Sequence, residues 1–165
     1  MRITHAEQLA AFVVRASYDH LSETARHQLK IRVLDSLGCA IGALGAELIR
    51  LIRAQIEDFG GAGRCTLIGD GRTAPDLAAF YNCALARYLD FNDSYLVKGE
   101  TCHPSDNLGT AQAASEYAKG SGRDFLTALA VAYQVQCRPS DVALSLSKSP
   151  SFFLFIHLQT SSVNC

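Results

Sequence analysis

Four apolar residues recur at intervals of four in the segment ETARHQLKIRVLDSLGCAIGAL, and this spacing constrains the fold more than any other feature. They are Leu29, Val33, Leu37 and Ile41. Residues four apart lie on one face of an α-helix, so the segment is expected to be helical, with Ser22 as its N-terminal cap. Its second half is apolar on nearly every side. We therefore predict a central, deeply buried helix.

Helical patterns also flank this segment. A capping box begins the first helix at Thr4 and Glu7, and the amphipathic stretch AELIRLIRAQIEDFG ends at Gly60. The stretch GRCTLIGDGRTA is strand-prone, and its Asp70-Gly71 pair suits a tight turn. The expected fold class is therefore all-α, a mainly helical bundle with one short β-hairpin near residues 64–74.

Three further helices are expected after the hairpin. Thr73 is the predicted cap of the first, which has Pro75 in its opening turn. Pro104 begins the second, and Ser121 with Asp124 begins the third. A polar segment lies between the first and the second of these helices.

Composition narrows the class of protein. A chain of 165 residues that is 48% hydrophobic can build the core of one compact unit. A formal net charge of −1 provides no basic surface, so we expect neither nucleic acid nor a membrane as partner. The first residues have neither the form of a signal peptide nor the length of a membrane span. A cytoplasmic protein with its six cysteines reduced is expected.

The segment YLDFNDSYLVKGETCHPSDN, residues 88–107, collects reactive side chains after a predicted helix. If that helix continues, Asp90, Asp93 and Ser94 share one face, with Arg87 one turn earlier. His103 precedes Pro104, which favours an extended backbone at a helix N-terminus. Such a mixture of a base, hydrogen-bond donors and cations suits an anionic substrate from which a proton is removed. His103 is the natural acid or base.

Ordinary structural roles for the same residues stay open. Acidic side chains after a helix and a His-Pro junction also serve as caps and turns, and Arg87 can pair with Asp90 one turn along. Metal binding fits poorly, because the adjacent Cys102 and His103 do not easily bind one tetrahedral ion. Cys102 as a nucleophile lacks a recognisable orienting set.

Three motifs, RVLDSLGCAIGA, ARYLDFNDSYL and ETCHPSDN, together resemble the N-terminal helical domain of the MmgE/PrpD family. The resemblance covers roughly residues 6–142. It implies a large helical domain joined to a smaller α+β domain, usually in a homodimer, and cofactor-free lyase chemistry on small tricarboxylic acids. The implied activities are dehydration of 2-methylcitrate in propionate catabolism, decarboxylation of cis-aconitate and epimerisation of iminodisuccinate.

The resemblance also implies site residues. Its catalytic motif corresponds to Asp90, His103 and Ser94, where relatives commonly have threonine. The HPSDN form is more similar to the methylcitrate dehydratases than to the decarboxylases. We expect four further residues to bind the substrate: Arg87, Lys98, Asp106 and Asn107. No metal and no cofactor is expected.

The composition changes after about Cys137, where a serine-rich segment with the apolar run FFLFIHL begins. We expect residues 1–137 to form a partial MmgE/PrpD-like helical domain. Residues 138–165 are then a divergent tail, for which an out-of-frame or truncated ending is one hypothesis. Pro139 is expected to disturb a helix there. Two functions follow: a hydro-lyase that is incomplete as this chain, or a non-catalytic helical remnant or interaction module.

Overall fold

Helices make up most of the fold. The computed structural model describes residues 4–97 and 100–143, and these contain six α-helices and four short strands. The helices are α1 (His5–Arg15), α2 (Glu23–Ala43), α3 (Glu47–Phe59), α4 (Pro75–Tyr88), α5 (Leu108–Tyr117) and α6 (Gly122–Ala143). The strands are β1 (Cys65–Thr66), β2 (Arg72–Thr73), β3 (Tyr95–Val97) and β4 (Glu100–Cys102). Short 3-10 helices occupy Tyr18–His20 and Pro104–Asn107. The predicted all-α class is confirmed.

Side-chain caps begin three of the helices where the sequence predicts them. At α1, Thr4 Oγ1 accepts from the Glu7 amide at 3.2 Å, and the Glu7 carboxylate accepts from the Thr4 amide at 2.7 Å. Ser22 caps α2 through the Ala25 amide. Ser121 and Asp124 form the same reciprocal pair at the start of α6. Each cap satisfies amides that have no partner within the helix.

The predicted hairpin is present, and β1 pairs antiparallel with β2 so that Cys65 lies opposite Thr73. The connection spans residues 67–71, with positive φ at Gly69 and Gly71, and is longer than a turn built on Asp70-Gly71 alone. The predicted cap at Thr73 is wrong. Strand pairing buries Thr73 in β2, and the N-cap position of α4 falls on Ala74.

Two core clusters meet along α2. One joins α2, α3, α4 and the first hairpin, and the other joins α2, α5 and α6. Asn82 of α4 is fully buried in the first region. Its side chain accepts from the Ile68 amide at 2.9 Å and donates to the Thr66 carbonyl at 2.8 Å, which holds the hairpin on the helix. Helix α4 also packs against both α2 and α5.

Helix α2 is buried on one side only. Leu29 and Ala40 are completely buried, whereas Leu34 is 73% exposed and Ile41 is 62% exposed. The prediction of a deeply buried helix is therefore wrong for this face. The described residues pack against the side of α2 that faces α4 and α6, and a helix that is apolar on every side does not indicate which side its neighbours cover.

A second hairpin, which the sequence analysis did not predict, follows α4. Strand β3 pairs antiparallel with β4, and Tyr95 lies opposite Cys102. This pairing brings the residues just before β3 beside those just after β4. It thereby places Ser94 next to His103, although nine positions separate them in the chain.

Helix α6 continues through Pro139 to Ala143. The expectation that Pro139 disturbs a helix is therefore wrong for the backbone up to Ala143. The expected boundary at residue 137 stays a prediction, and most of the expected tail, residues 144–165, lies outside the described residues. Within the described ranges, none of the helices combines the length and apolarity needed to cross a bilayer.

Candidate functional site

The site begins where α4 ends. The helix stops at Tyr88, and Asp90 has a φ of 55°, in the left-handed region that terminates a helix. Asp93 and Ser94 therefore lie in the connection to β3 and not on a continued helix. The interpretation that Asp90, Asp93 and Ser94 share one helical face is wrong, because the backbone reverses its handedness at Asp90.

Arg87, in the last turn of α4, joins the polar side chains that follow it. Its Nη1 donates to the Asp90 carboxylate and, at 3.1 Å, to Asn92 Oδ1. Its Nε lies 3.9 Å from Asp106 Oδ2. The expected pair with Asp90 is thus confirmed. Since both hydrogens of Nη1 are used and Nε is too far from Asp106 for a hydrogen bond, a substrate carboxylate would meet Nη2 and Nε of Arg87.

Asn92 links this cluster to the start of α5. It is buried, with 6% of its surface exposed. Its Nδ2 donates to Ser105 Oγ at 2.9 Å and to Asp106 Oδ1 at 2.8 Å. Burial raises the pKa of Asp106 above its ordinary value and outweighs the lowering by Arg87 and by the hydrogen bond from Asn92. A substrate anion beside Asp106 would therefore meet a carboxyl group that gains a proton more readily than usual.

His103 lies at the entrance to the 3-10 helix, with φ −118° and ψ 88°. The φ is the one expected before a proline, but the ψ falls short of the extended range, so the predicted extended backbone is confirmed in φ alone. Its Nδ1 is 2.7 Å from the backbone oxygen of Asp93 and 3.4 Å from Ser94 Oγ. A carbonyl oxygen only accepts hydrogen bonds, so this contact is a hydrogen bond when Nδ1 carries the proton. In the neutral ring the lone pair is then on Nε2, which can take a proton from a bound molecule.

Two side chains of helix α6 form hydrogen bonds with residues of the site. Tyr133 donates its hydroxyl to Asp93 Oδ2 at 2.8 Å. Asn107 donates its amide to Gln136 Oε1 and, at 3.0 Å, to the Pro104 carbonyl. These contacts tie the 3-10 helix and the connection after α4 to one rigid element.

The predicted site residues fall into two adjoining groups. His103 and Ser94 are in contact, and Arg87 joins Asp90 to Asp106. Asn107 contacts Gln136 and the 3-10 helix. Lys98 lies outside the described residues. The structure records no hydrogen bond between Asp90 and His103 among its described residues, so the proposed catalytic role of Asp90 stays a prediction.

Several residues of the site had no role in the sequence analysis. They are Asn92, Ser105, Tyr133 and Gln136. Asp93 was placed in the polar cluster, but its contacts with Ser105 and Tyr133 were not predicted. Asn92 and Ser105 belong to the polar segment and could have been suspected from their position. Tyr133 and Gln136 lie about thirty residues further along the chain, in a segment whose pattern is that of an ordinary packed helix. No local signal connects them with the site.

Comparison with known proteins gives the arrangement a context. The family model described as the MmgE/PrpD N-terminal domain matches residues 7–156. The chain belongs to the MmgE/PrpD family. The match includes the polar segment with His103.

Curated relatives of this MmgE/PrpD chain carry the names of lyases. 2-Methylcitrate dehydratase of Escherichia coli (strain K12) is 32% identical over 138 residues, covering 73% of this chain and 27% of that protein. Cis-aconitate decarboxylase of Mus musculus is 27% identical over 139 residues, covering 80% of this chain and 28% of that protein. Alkylcitrate dehydratase phiI of a fungal species is 29% identical, covering 82% and 30%. The chain thus spans less than a third of the length of these relatives.

Proposed function

We propose that this chain is the N-terminal helical part of a 2-methylcitrate dehydratase-like hydro-lyase. The observation that carries the proposal is the position of His103, whose Nδ1 is held by the Asp93 carbonyl while Ser94 lies alongside. Two named dehydratases among the relatives support elimination of water as the reaction type. The substrate is a small tricarboxylic acid, no cofactor is required, and the setting is propionate catabolism in the cytoplasm.

Elimination of water beside a carboxylate needs a base for the C–H proton and a donor for the departing hydroxyl group. His103 Nε2 takes the C–H proton in this proposal and returns it to the departing hydroxyl group, which leaves as water, and Ser94 donates a hydrogen bond to the substrate. Negative charge that develops on the substrate requires nearby donors. Arg87 and Lys98 serve this purpose, and Asp90 orients the substrate. The two amide hydrogens of Asn107 already bind Gln136 and Pro104, so its predicted substrate contact would have to be made by its side-chain oxygen as an acceptor.

The local charge balance suits such a substrate. Arg87 already faces the two carboxyl groups of Asp90 and Asp106, which would repel a tricarboxylate if both were ionised. Burial raises the pKa of Asp106, so this carboxyl group takes up a proton more readily than usual when another anion binds. The Asp106 carboxyl group can thus adjust to a bound anion through a proton.

The test is an assay of the purified chain with 2-methylcitrate, following the unsaturated product by its ultraviolet absorbance. We expect turnover that His103→Gln abolishes. His27→Gln, at an exposed histidine on α2, is the matched control and should keep full activity. Absence of turnover in a sample with native helical circular dichroism would refute the proposal for this chain, and cis-aconitate as substrate separates the decarboxylase alternative.

A second candidate function is that of a non-catalytic helical module, which the exposed apolar face of α2 favours. Leu34 and Ile41 on this face are more than 60% exposed. Large exposed apolar patches mark interaction surfaces. Sedimentation of the purified chain tests this candidate, because a homodimer held by α2 should dissociate in Leu34→Lys, whereas Gln55→Lys on the exposed side of α3 should leave it intact.

A further inference from the structure

The Asp93 side chain joins three segments of the chain. Its Oδ1 accepts from the Ser105 amide at 3.1 Å, and its Oδ2 accepts from the Tyr133 hydroxyl at 2.8 Å. The Tyr133 side chain belongs to the core cluster that joins α2, α5 and α6, and only 1% of its surface is exposed. Both carboxylate oxygens of Asp93 are therefore hydrogen-bonded, one to the 3-10 helix and the other to α6.

The same residue contacts His103 through its backbone. The Asp93 carbonyl oxygen lies 2.7 Å from His103 Nδ1. Because the side chain is held at both oxygens, the peptide group of Asp93 has little freedom to turn away from the ring. The Ser105 contact also fixes the chain two residues beyond His103, so donor and acceptor are held from both ends.

We propose that Asp93, held by Tyr133, is a positioning residue that selects the tautomer of His103 with the proton on Nδ1. Its own carboxylate does not touch the substrate. The consequence for catalysis, a lone pair on Nε2 at the open side of the ring, rests on the proposed function. The choice of tautomer itself does not rest on the proposed function, because it is a property of the folded chain without substrate.

A neighbouring residue strengthens the same connection. Asn92 is buried and donates to Ser105 Oγ at 2.9 Å, so two successive side chains bind the residue that follows the His-Pro junction. Asn92 has no recorded contact with His103 among the described residues. Asp93 is the residue that contacts both α6, through Tyr133, and the His103 ring, through its backbone oxygen.

The tautomer can be measured by ¹⁵N NMR of the histidine rings in the full chain. The spectrum of His103→Gln identifies the His103 signals among those of the five histidines. We expect the unaltered chain, at a pH where the ring is neutral, to show His103 protonated on Nδ1. Protonation on Nε2 would overturn the proposal whether or not the chain has lyase activity.

Three variants test the cause. Asp93→Ala removes both side-chain contacts, and Tyr133→Phe removes one hydroxyl from a ring that keeps its packing. Each should convert the single tautomer into a mixture. Asp93→Asn should keep the single tautomer, since its amide oxygen can accept from Ser105 and its nitrogen can donate to the Tyr133 oxygen. Tyr117→Phe, which removes the hydroxyl of an exposed tyrosine on α5, is the control and should change nothing.

The outcomes are decisive even if one variant does not fold. If Asp93→Ala loses its helical circular dichroism, Tyr133→Phe and Asp93→Asn still decide the matter. A His103 tautomer that stays unchanged in folded Tyr133→Phe would refute the role of α6. Loss of turnover with an unchanged tautomer would likewise show that Asp93 acts on the reaction by another route.

Discussion

Replacing Gly109 with alanine tests how closely α4 and α5 approach beside the site. Gly109 is the second residue of α5, directly after the 3-10 helix that carries the HPSDN motif. A Cβ at this position would lie 2.6 Å from the backbone nitrogen of Cys83 and 2.8 Å from the carbonyl oxygen of Ala79. Both atoms belong to the backbone of α4 and cannot turn aside as a flexible side chain would.

The size of the effect follows from two opposed terms. Overpacking of a well-filled interior costs about 1–3 kcal/mol, and backbone neighbours place Gly109→Ala at the upper end of that range. Alanine gains up to about 1 kcal/mol over glycine from its higher helix propensity. The expected net loss in the free energy of unfolding is therefore about 2 kcal/mol, which lowers the midpoint temperature by roughly 4–8 °C for a chain of this size.

Urea denaturation followed by circular dichroism at 222 nm, a standard helix wavelength, measures this loss. Gly38→Ala is the matched control, because Gly38 lies in the middle of α2 and a Cβ there meets nothing within 4 Å. That variant should be more stable by about 0.5–1 kcal/mol. Equal stability changes in the two variants, or a stabilised Gly109→Ala, would contradict the close packing of α4 on α5.

Two further predictions concern buried polar groups. Asn82→Ala leaves the Ile68 amide and the Thr66 carbonyl without their side-chain partner, and should cost about 2–4 kcal/mol in the same denaturation experiment. Unchanged stability would show that water replaces the amide. Because burial raises the pKa of Asp106 in the folded chain, the native state holds this proton more tightly than the unfolded state. The free energy of unfolding should therefore fall as pH rises from 3.8 through the raised value, and Asp106→Asn should flatten this slope. Asp76→Asn, at an exposed carboxylate, is the control, and an unchanged slope in Asp106→Asn would refute the assignment.

The local parts of the site could be predicted from the sequence. The pair of Arg87 with Asp90 joins residues three positions apart, and the place of His103 directly before a helical turn follows from the proline after it. Such features depend on neighbours in the chain. The end of α4 was harder to predict, because the residues after Tyr88 permit a helix and the positive φ of Asp90 has no glycine to announce it.

The role of Asp93 could not be predicted in the same way. Its two carboxylate contacts are with residues 12 and 40 positions away in the chain. Whether a carboxylate in a polar segment binds solvent, a substrate or a buried tyrosine depends on which helix packs beneath it. Periodicity indicates that Tyr133 lies in a helix but does not indicate which loop its hydroxyl faces.

The helical class, the capping boxes, the first hairpin and the family could all be predicted from the residues alone, because each of these depends on short-range spacing or on motifs within a few residues. Only the packing of distant segments settled which face of α2 is covered, how the β3–β4 hairpin brings Ser94 to His103, and which backbone oxygen faces Nδ1 of His103. The physical reason is that these properties arise from hydrogen bonds and packing between segments far apart in the chain. Their partners are chosen by the geometry of the whole fold and not by the residues on either side.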